Sequence, residues 1–123
     1  MLEGEFARLA TLRATKDEID EIVRMYNEIS NSKDLNTFVV KDLGLHLTIA
    51  KATHNPIMNG IMKIIVEMLY KETQKIIEIS KDTRVNTIET TRNLVQAIRQ
   101  RNAEQAKELM SEHIRNIRES LKD

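Results

Sequence analysis

Thr15-Lys16-Asp17-Glu18-Ile19-Asp20-Glu21-Ile22-Val23-Arg24-Met25-Tyr26-Asn27-Glu28-Ile29-Ser30 opens with a helix start and continues as one helix face. Thr15 and Glu18 have the spacing of a capping box, in which the threonine hydroxyl accepts from the Glu18 backbone and the glutamate reaches back. Behind it, Ile19, Ile22, Val23, Tyr26 and Ile29 recur at steps of three and four, the period of an amphipathic helix. The same grammar repeats on both sides. A helix is predicted over about Leu2 to Arg13, with Phe6, Leu9, Ala10 and Leu12 apolar. Asn31-Ser32-Lys33-Asp34 is a polar break, and Asp34 caps a third helix to about Thr53. His54-Asn55-Pro56 marks the next boundary, because a residue before proline avoids helical angles and proline suits a first helical turn.

A long fourth helix is expected from about Pro56 to Ile79, with Ile57, Ile61, Ile64, Ile65, Met68, Leu69, Ile76 and Ile77 apolar. Ser80-Lys81-Asp82-Thr83 reads as the loop that ends it. A fifth helix is predicted over about Thr87 to Gln100, with Ile88, Leu94, Val95 and Ile98. Asn102 caps a sixth, from about Ala103 to Leu121. Six helices with short connections predict an all-α antiparallel bundle. The 123 residues suit one domain, 1–123, with one core.

Composition narrows the function classes. Only three Gly and one Pro interrupt the chain, which favours long helices. Lys+Arg and Asp+Glu balance at 19 each, so there is no basic excess to attract nucleic acid. Cysteine is absent, which excludes disulfides and thiolate metal sites and fits a reducing cytoplasm. No run of about 18 apolar residues predicts a membrane span. Met1-Leu2-Glu3-Gly4-Glu5 lacks the basic and apolar regions of a signal peptide. There is no Gly-rich phosphate loop, no nucleophile elbow and no H-E-x-x-H, and no catalytic residue stands out.

Three polar residues intrude on stripes that should be apolar. Asp42 and His46 are i and i+4, about 40° apart on a helical wheel, on the stripe of Val39 and Ile49. His113 falls inside the stripe of Ala106, Met110, Ile117 and Leu121. A buried ionisable group is costly without a partner. These three therefore face each other, or a metal, unless the Asp42–His46 pair is simply solvated. Oxygen and imidazole donors from separate helices suit a divalent metal, with zinc first and nickel or manganese as alternatives. Thr91 sits on the stripe of Ile88, Val95 and Ile98, where a threonine usually bonds back to the preceding turn. His54 reads as a loop or capping residue. Met58, Met62, Met68 and Met110 read as core, or as the lining of a pliable pocket. The charges of the last helix read as a solvated face.

At these residues the chain resembles the FCD domain, the C-terminal effector-binding domain of FadR-like GntR-family bacterial transcription regulators. The matching segments are Leu2-Glu3-Gly4 through Ala7-Arg8-Leu9-Ala10 with Arg13-Ala14-Thr15, then Asp42-Leu43-Gly44-Leu45-His46 with Ile49-Ala50 and Ala52-Thr53-His54-Asn55-Pro56. Arg92 to Ala97-Ile98 follows, then Arg101-Asn102-Ala103 to Ala106, Met110 and His113-Ile114. The resemblance implies a non-enzymatic, cytoplasmic, dimerising sensor that binds a small carboxylate-type effector at a divalent metal. It implies Asp42, His46 and His113 as metal ligands, with Thr91 and Met110 toward the effector. The family's remaining ligand histidine falls at Thr91, so the resemblance implies three protein ligands and open positions. It also implies DNA binding only through an N-terminal winged helix-turn-helix, which this stretch of sequence does not include. The competing expectations are a metal-free sensor of an acyl or other apolar effector, a free-standing interaction module, and a small metal-dependent helical enzyme.

Overall fold

The computed structural model describes residues 2–73 and 81–120, and every element among them is a helix. They are α1 (Leu2–Arg13), α2 (Lys16–Ser30), α3 (Leu35–Lys51), α4 (Pro56–Thr73), α5 (Lys81–Arg99) and α6 (Ala103–Ser120). The predicted all-α antiparallel bundle of six helices is the fold observed.

The helix starts are set by side chains that satisfy orphan backbone donors. Thr15 Oγ1 accepts from Glu18 N at 3.1 Å while Glu18 Oε1 accepts from Thr15 N at 2.8 Å, completing the capping box. Asp34 Oδ1 accepts from Thr37 N at 2.8 Å. Asn55 Oδ1 accepts from Ile57 N at 3.0 Å, just ahead of Pro56. Asn102 Oδ1 accepts from Gln105 N at 3.2 Å.

The core runs between the helices as a continuous cluster that includes Ile22, Ile29, Leu45, Ile49, Leu94, Ile98, Met110 and Ile114. Full burial of one such side chain contributes about 1.5–3 kcal/mol. α6 packs mainly on α1 and α5, and α3 on α4 and α2. The α1–α6 approach is tight at Gly4, where an added Cβ would lie 2.3 Å from Ser111 Oγ and 2.9 Å from the Lys107 carbonyl oxygen. No larger residue fits there without moving α6 backbone.

Three expectations need adjusting. α5 begins at Lys81, so Lys81, Asp82 and Thr83 are helical and not loop. They are polar but include no glycine or proline, so nothing in them stops a helical backbone. In α4 the apolar residues cover more than one side. Met62 and Leu69 are buried, whereas Ile57, Ile64 and Met68 face outward, as does Leu12 of α1. α3 ends two residues early, with Ala52 as its C-cap. Ile76, Ile77, Ile79, Ser80 and Leu121, and the side chain of Ile117, lie outside the described residues.

Candidate functional site

α3 presents Asp42 and His46 one turn apart on the side that faces α6, and α6 presents His113 to them. All three are at most 4% exposed. Their candidate ligand atoms lie within 4.8 Å of one another. His113 Nε2 and His46 Nε2 are 2.9 Å apart, and the two rings are tilted by 43° with centroids 4.8 Å apart. His113 Nε2 is 3.4 Å from Asp42 Oδ1, and His46 Nε2 is 3.6 Å from Asp42 Oδ2. The predicted triad is therefore brought together in the interior.

The hydrogen bonding of the triad is incomplete. One proton fits between the two Nε2 atoms, with one ring donating and the other accepting. Asp42 Oδ1 and His46 Nδ1 are buried with no hydrogen-bond partner among the described residues. At 3.4 Å, His113 attracts the Asp42 carboxylate without bonding geometry to Oδ1. Native interiors leave few polar atoms unpaired, and each calls for an explanation.

The electrostatics favour a ligand-competent protonation state. Burial pushes His46 down, Asp42 pulls it back up in part and His113 lowers it again, leaving it at about 4. Burial raises the Asp42 carboxyl, but the attraction of His113 and then His46 outweighs it, so the group stays below the ordinary carboxylate range. Near neutral pH His46 is an unprotonated imidazole beside a carboxylate, the forms that bind metal.

The donor set also fits a cation in its spacing. Two donors each about 2.1 Å from one ion stand about 3.0 Å apart at a right angle and about 3.4 Å apart at a tetrahedral angle. The two Nε2 atoms, 2.9 Å apart, and the 3.4 Å from His113 Nε2 to Asp42 Oδ1 come close to that range, whereas His46 Nε2 has its 3.6 Å approach to the other oxygen, Oδ2. Two imidazoles and a carboxylate suit zinc, nickel or manganese.

The other expected residues take different places. Thr91 is fully buried on α5, and its hydroxyl donates to the Thr87 carbonyl at 2.7 Å. That is the back-bond expected of a mid-helix threonine, and it leaves the hydroxyl proton engaged. Met110 is fully buried one turn before His113 and packs in the main cluster. His54 closes the α3–α4 corner in a left-handed conformation and bonds Glu18 Oε1 at 2.8 Å.

Sequence reasoning passed over Glu3. It is 3% exposed in the first turn of α1 and accepts from Arg118 of α6 at 2.6 Å. The signal was weak: one glutamate beside a glycine, with its partner more than a hundred residues away.

Comparison with known proteins bears on the fold and the family. The model of the FCD domain family matches residues 1–116. Among solved structures, Streptococcus agalactiae GntR is similar at 22% identity and a TM-score of 0.81, over 96% of this chain and 53% of that one. E. coli McbR/YncC is similar at 18% identity and a TM-score of 0.76, over 96% of this chain and 63% of that one. At these identities the likeness is one of fold, and the chain spans between half and two thirds of those proteins' lengths. No curated protein matches the chain.

Proposed function

The chain belongs to the FCD domain family, and on that premise we propose that it is the effector-sensing and dimerising domain of a GntR-type transcription regulator, cytoplasmic and without enzymatic activity. In this reading Asp42, His46 and His113 hold a divalent metal, zinc first and nickel or manganese as alternatives. A small carboxylate-type effector completes the metal's coordination next to Thr91 and Met110. The DNA-binding activity belongs to a winged-helix segment of the whole regulator.

One observation carries this reading. Three donors from two helices converge in the core and leave Asp42 Oδ1 and His46 Nδ1 without partners. A cation next to Asp42 Oδ1 would satisfy that oxygen and balance its charge. The bound metal supplies a Lewis acid for an effector's oxygen atoms. Asp42 would contribute negative charge and the two imidazoles nitrogen donors, and Thr91, already bonded to Thr87, would leave positions free for the effector.

The coupling to DNA follows from packing. α6 carries His113 and also packs closely on α1, through Gly4 against Ser111 and through the Glu3–Arg118 ion pair. A ligand that favours one position of α6 therefore favours one position of the start of α1.

A second reading has a specific observation behind it. The 2.9 Å contact between the two Nε2 atoms is also what a metal-free histidine pair would make, and an apolar effector would then fill the protein without an ion. The unpartnered Asp42 Oδ1 counts against it.

Metal titration of the chelator-treated chain with zinc, nickel and manganese separates the two. The expected result is one ion bound per chain, with binding at least a hundredfold weaker in His113→Ala and in Asp42→Ala. Absence of uptake of all three metals by the folded wild-type chain refutes the metal reading.

A further inference from the structure

We propose that the outer face of α4 is the surface on which a second copy of this chain docks, with the two α4 helices antiparallel across a two-fold axis. The proposal rests on the dimerising role given above and adds to it the surface and the register.

Among the described residues α4 packs mainly on α3, with Met62 also reaching Phe6 of α1. Its inward side is spent on that contact, with Met62 and Leu69 buried. Its outward side is nevertheless apolar. Ile57 is 74% exposed, Ile64 61% and Met68 62%, with Ile61 half-buried between them. On a solitary helix such a row in water has no compensation, and contiguous apolar patches of this kind mark interaction sites.

The spacing of the row selects its occupant. Ile57, Ile61, Ile64 and Met68 are separated by four, three and four residues, the a/d spacing of a helix–helix seam. That sequence of steps reads the same from either end. An antiparallel copy therefore sets Ile57 against the partner's Met68 and Ile61 against the partner's Ile64, giving four apolar layers in one register. A two-fold interface requires a self-complementary patch of this kind.

Charge does not oppose the pairing. The described charges of α4 are Lys63, Glu67, Lys71 and Glu72, two of each sign; Lys63 and Glu67 fall between Ile57 and Met68 along the chain but about 80° or more around the helix from Ile57. Antiparallel helices also place opposite dipole ends together.

Gly60 gives a second, independent observation. It lies in the second turn of α4 beside Ile61, inside a helix, where glycine costs about 0.5–1 kcal/mol relative to alanine. An added Cβ there would meet no atom within 4 Å, so no packing contact among the described residues accounts for it. A missing side chain next to the seam gives room for a partner helix to approach. The row supplies the apolar centre of a seam, with the polar residues beside it as a rim.

Sedimentation velocity on the whole chain tests this, with Ile64→Glu on the seam and Val40→Glu, an exposed apolar residue of α3, as control. The expected result is a wild-type dimer, at least tenfold weaker self-association in Ile64→Glu with helicity retained, and no change in Val40→Glu. The chain has no cysteine, so introduced thiols report the register. A mixture of Ile57→Cys and Met68→Cys should cross-link across the two copies. Ile57→Cys alone should not, because its own counterpart would lie about 16 Å further along the axis. A wild-type dimer that Ile64→Glu leaves unchanged overturns the α4 surface and spares the dimeric role. A chain that stays monomeric at high concentration overturns both, and metal uptake remains a separate test of the core site. Self-linkage of Ile57→Cys in preference to the mixed pair overturns the antiparallel arrangement.

Discussion

Acidifying the metal-free chain should remove a calculable part of its stability through His46. In the folded state burial holds this imidazole at about 4, against 6.5 for an ordinary histidine. Between those values the unfolded chain takes up a proton that the folded chain refuses, so protons favour unfolding. The contribution is fully present above about pH 6.5, declines as the pH falls, and is lost by about pH 4. At about 1.4 kcal/mol for each tenfold step in proton affinity, the loss approaches 3 kcal/mol. At roughly 4 °C per kcal/mol for a chain of this size, the midpoint of thermal unfolding should drop by roughly 10 °C. The assay is thermal denaturation by circular dichroism from pH 7 to pH 4 with chelator present, since a bound cation would compete with the proton. Surface carboxylates titrate as well, so the informative quantity is the difference from His46→Gln, which keeps a polar side chain without the titration. Asp42, held below the ordinary carboxylate range, adds a loss of the same sign at still lower pH in both proteins. Parallel pH profiles of the two proteins between 6.5 and 4 would refute the account of a buried neutral imidazole.

Gly4→Val should cost at least 2 kcal/mol in chemical denaturation, because its Cβ would meet α6 backbone at Lys107. Arg118→Ala should cost about 1–2 kcal/mol by the same measurement. It leaves the Glu3 carboxylate buried and unpaired, and the half-exposed position of Arg118 keeps the figure at the low end. Thr15→Ala should cost about 1 kcal/mol through loss of the capping box, without altering metal uptake.

The bundle was legible in the sequence because its signals are local. Capping residues Thr15, Asp34 and Asn102, and Pro56 just after Asn55, each act within three positions, and the helix starts they predicted are those observed. The start of α5 was not, since Lys81, Asp82 and Thr83 carry no apolar periodicity to announce a helix. The triad was legible for the opposite reason: Asp42, His46 and His113 break an apolar pattern, and a broken pattern points inward or to a site. The outward face of α4 misled, because periodicity shows that a helix has an apolar side without saying what covers it. Ile57 and Met68 satisfy the pattern of a core residue and of an interface residue equally well. Glu3 was out of reach because its burial depends on Arg118, a partner that no local rule connects to it.

His54 and Arg101 both adopt positive φ, 58° in each case, where glycine is the usual occupant. Each sits at a corner on the same pole of the bundle, where α1, α3 and α5 end and α2, α4 and α6 begin. His54 reaches Glu18, Arg101 donates to the Thr11 carbonyl at 3.1 Å, and Arg13 donates to the Thr53 carbonyl at 3.0 Å. These straps lash neighbouring corners to one another, so the helices are pinned at one pole like the ribs of a fan at its rivet. Any splaying of the ribs is then widest at the far pole, where the chain enters α1, and a small tilt at mid-length is geared up into a larger sweep there.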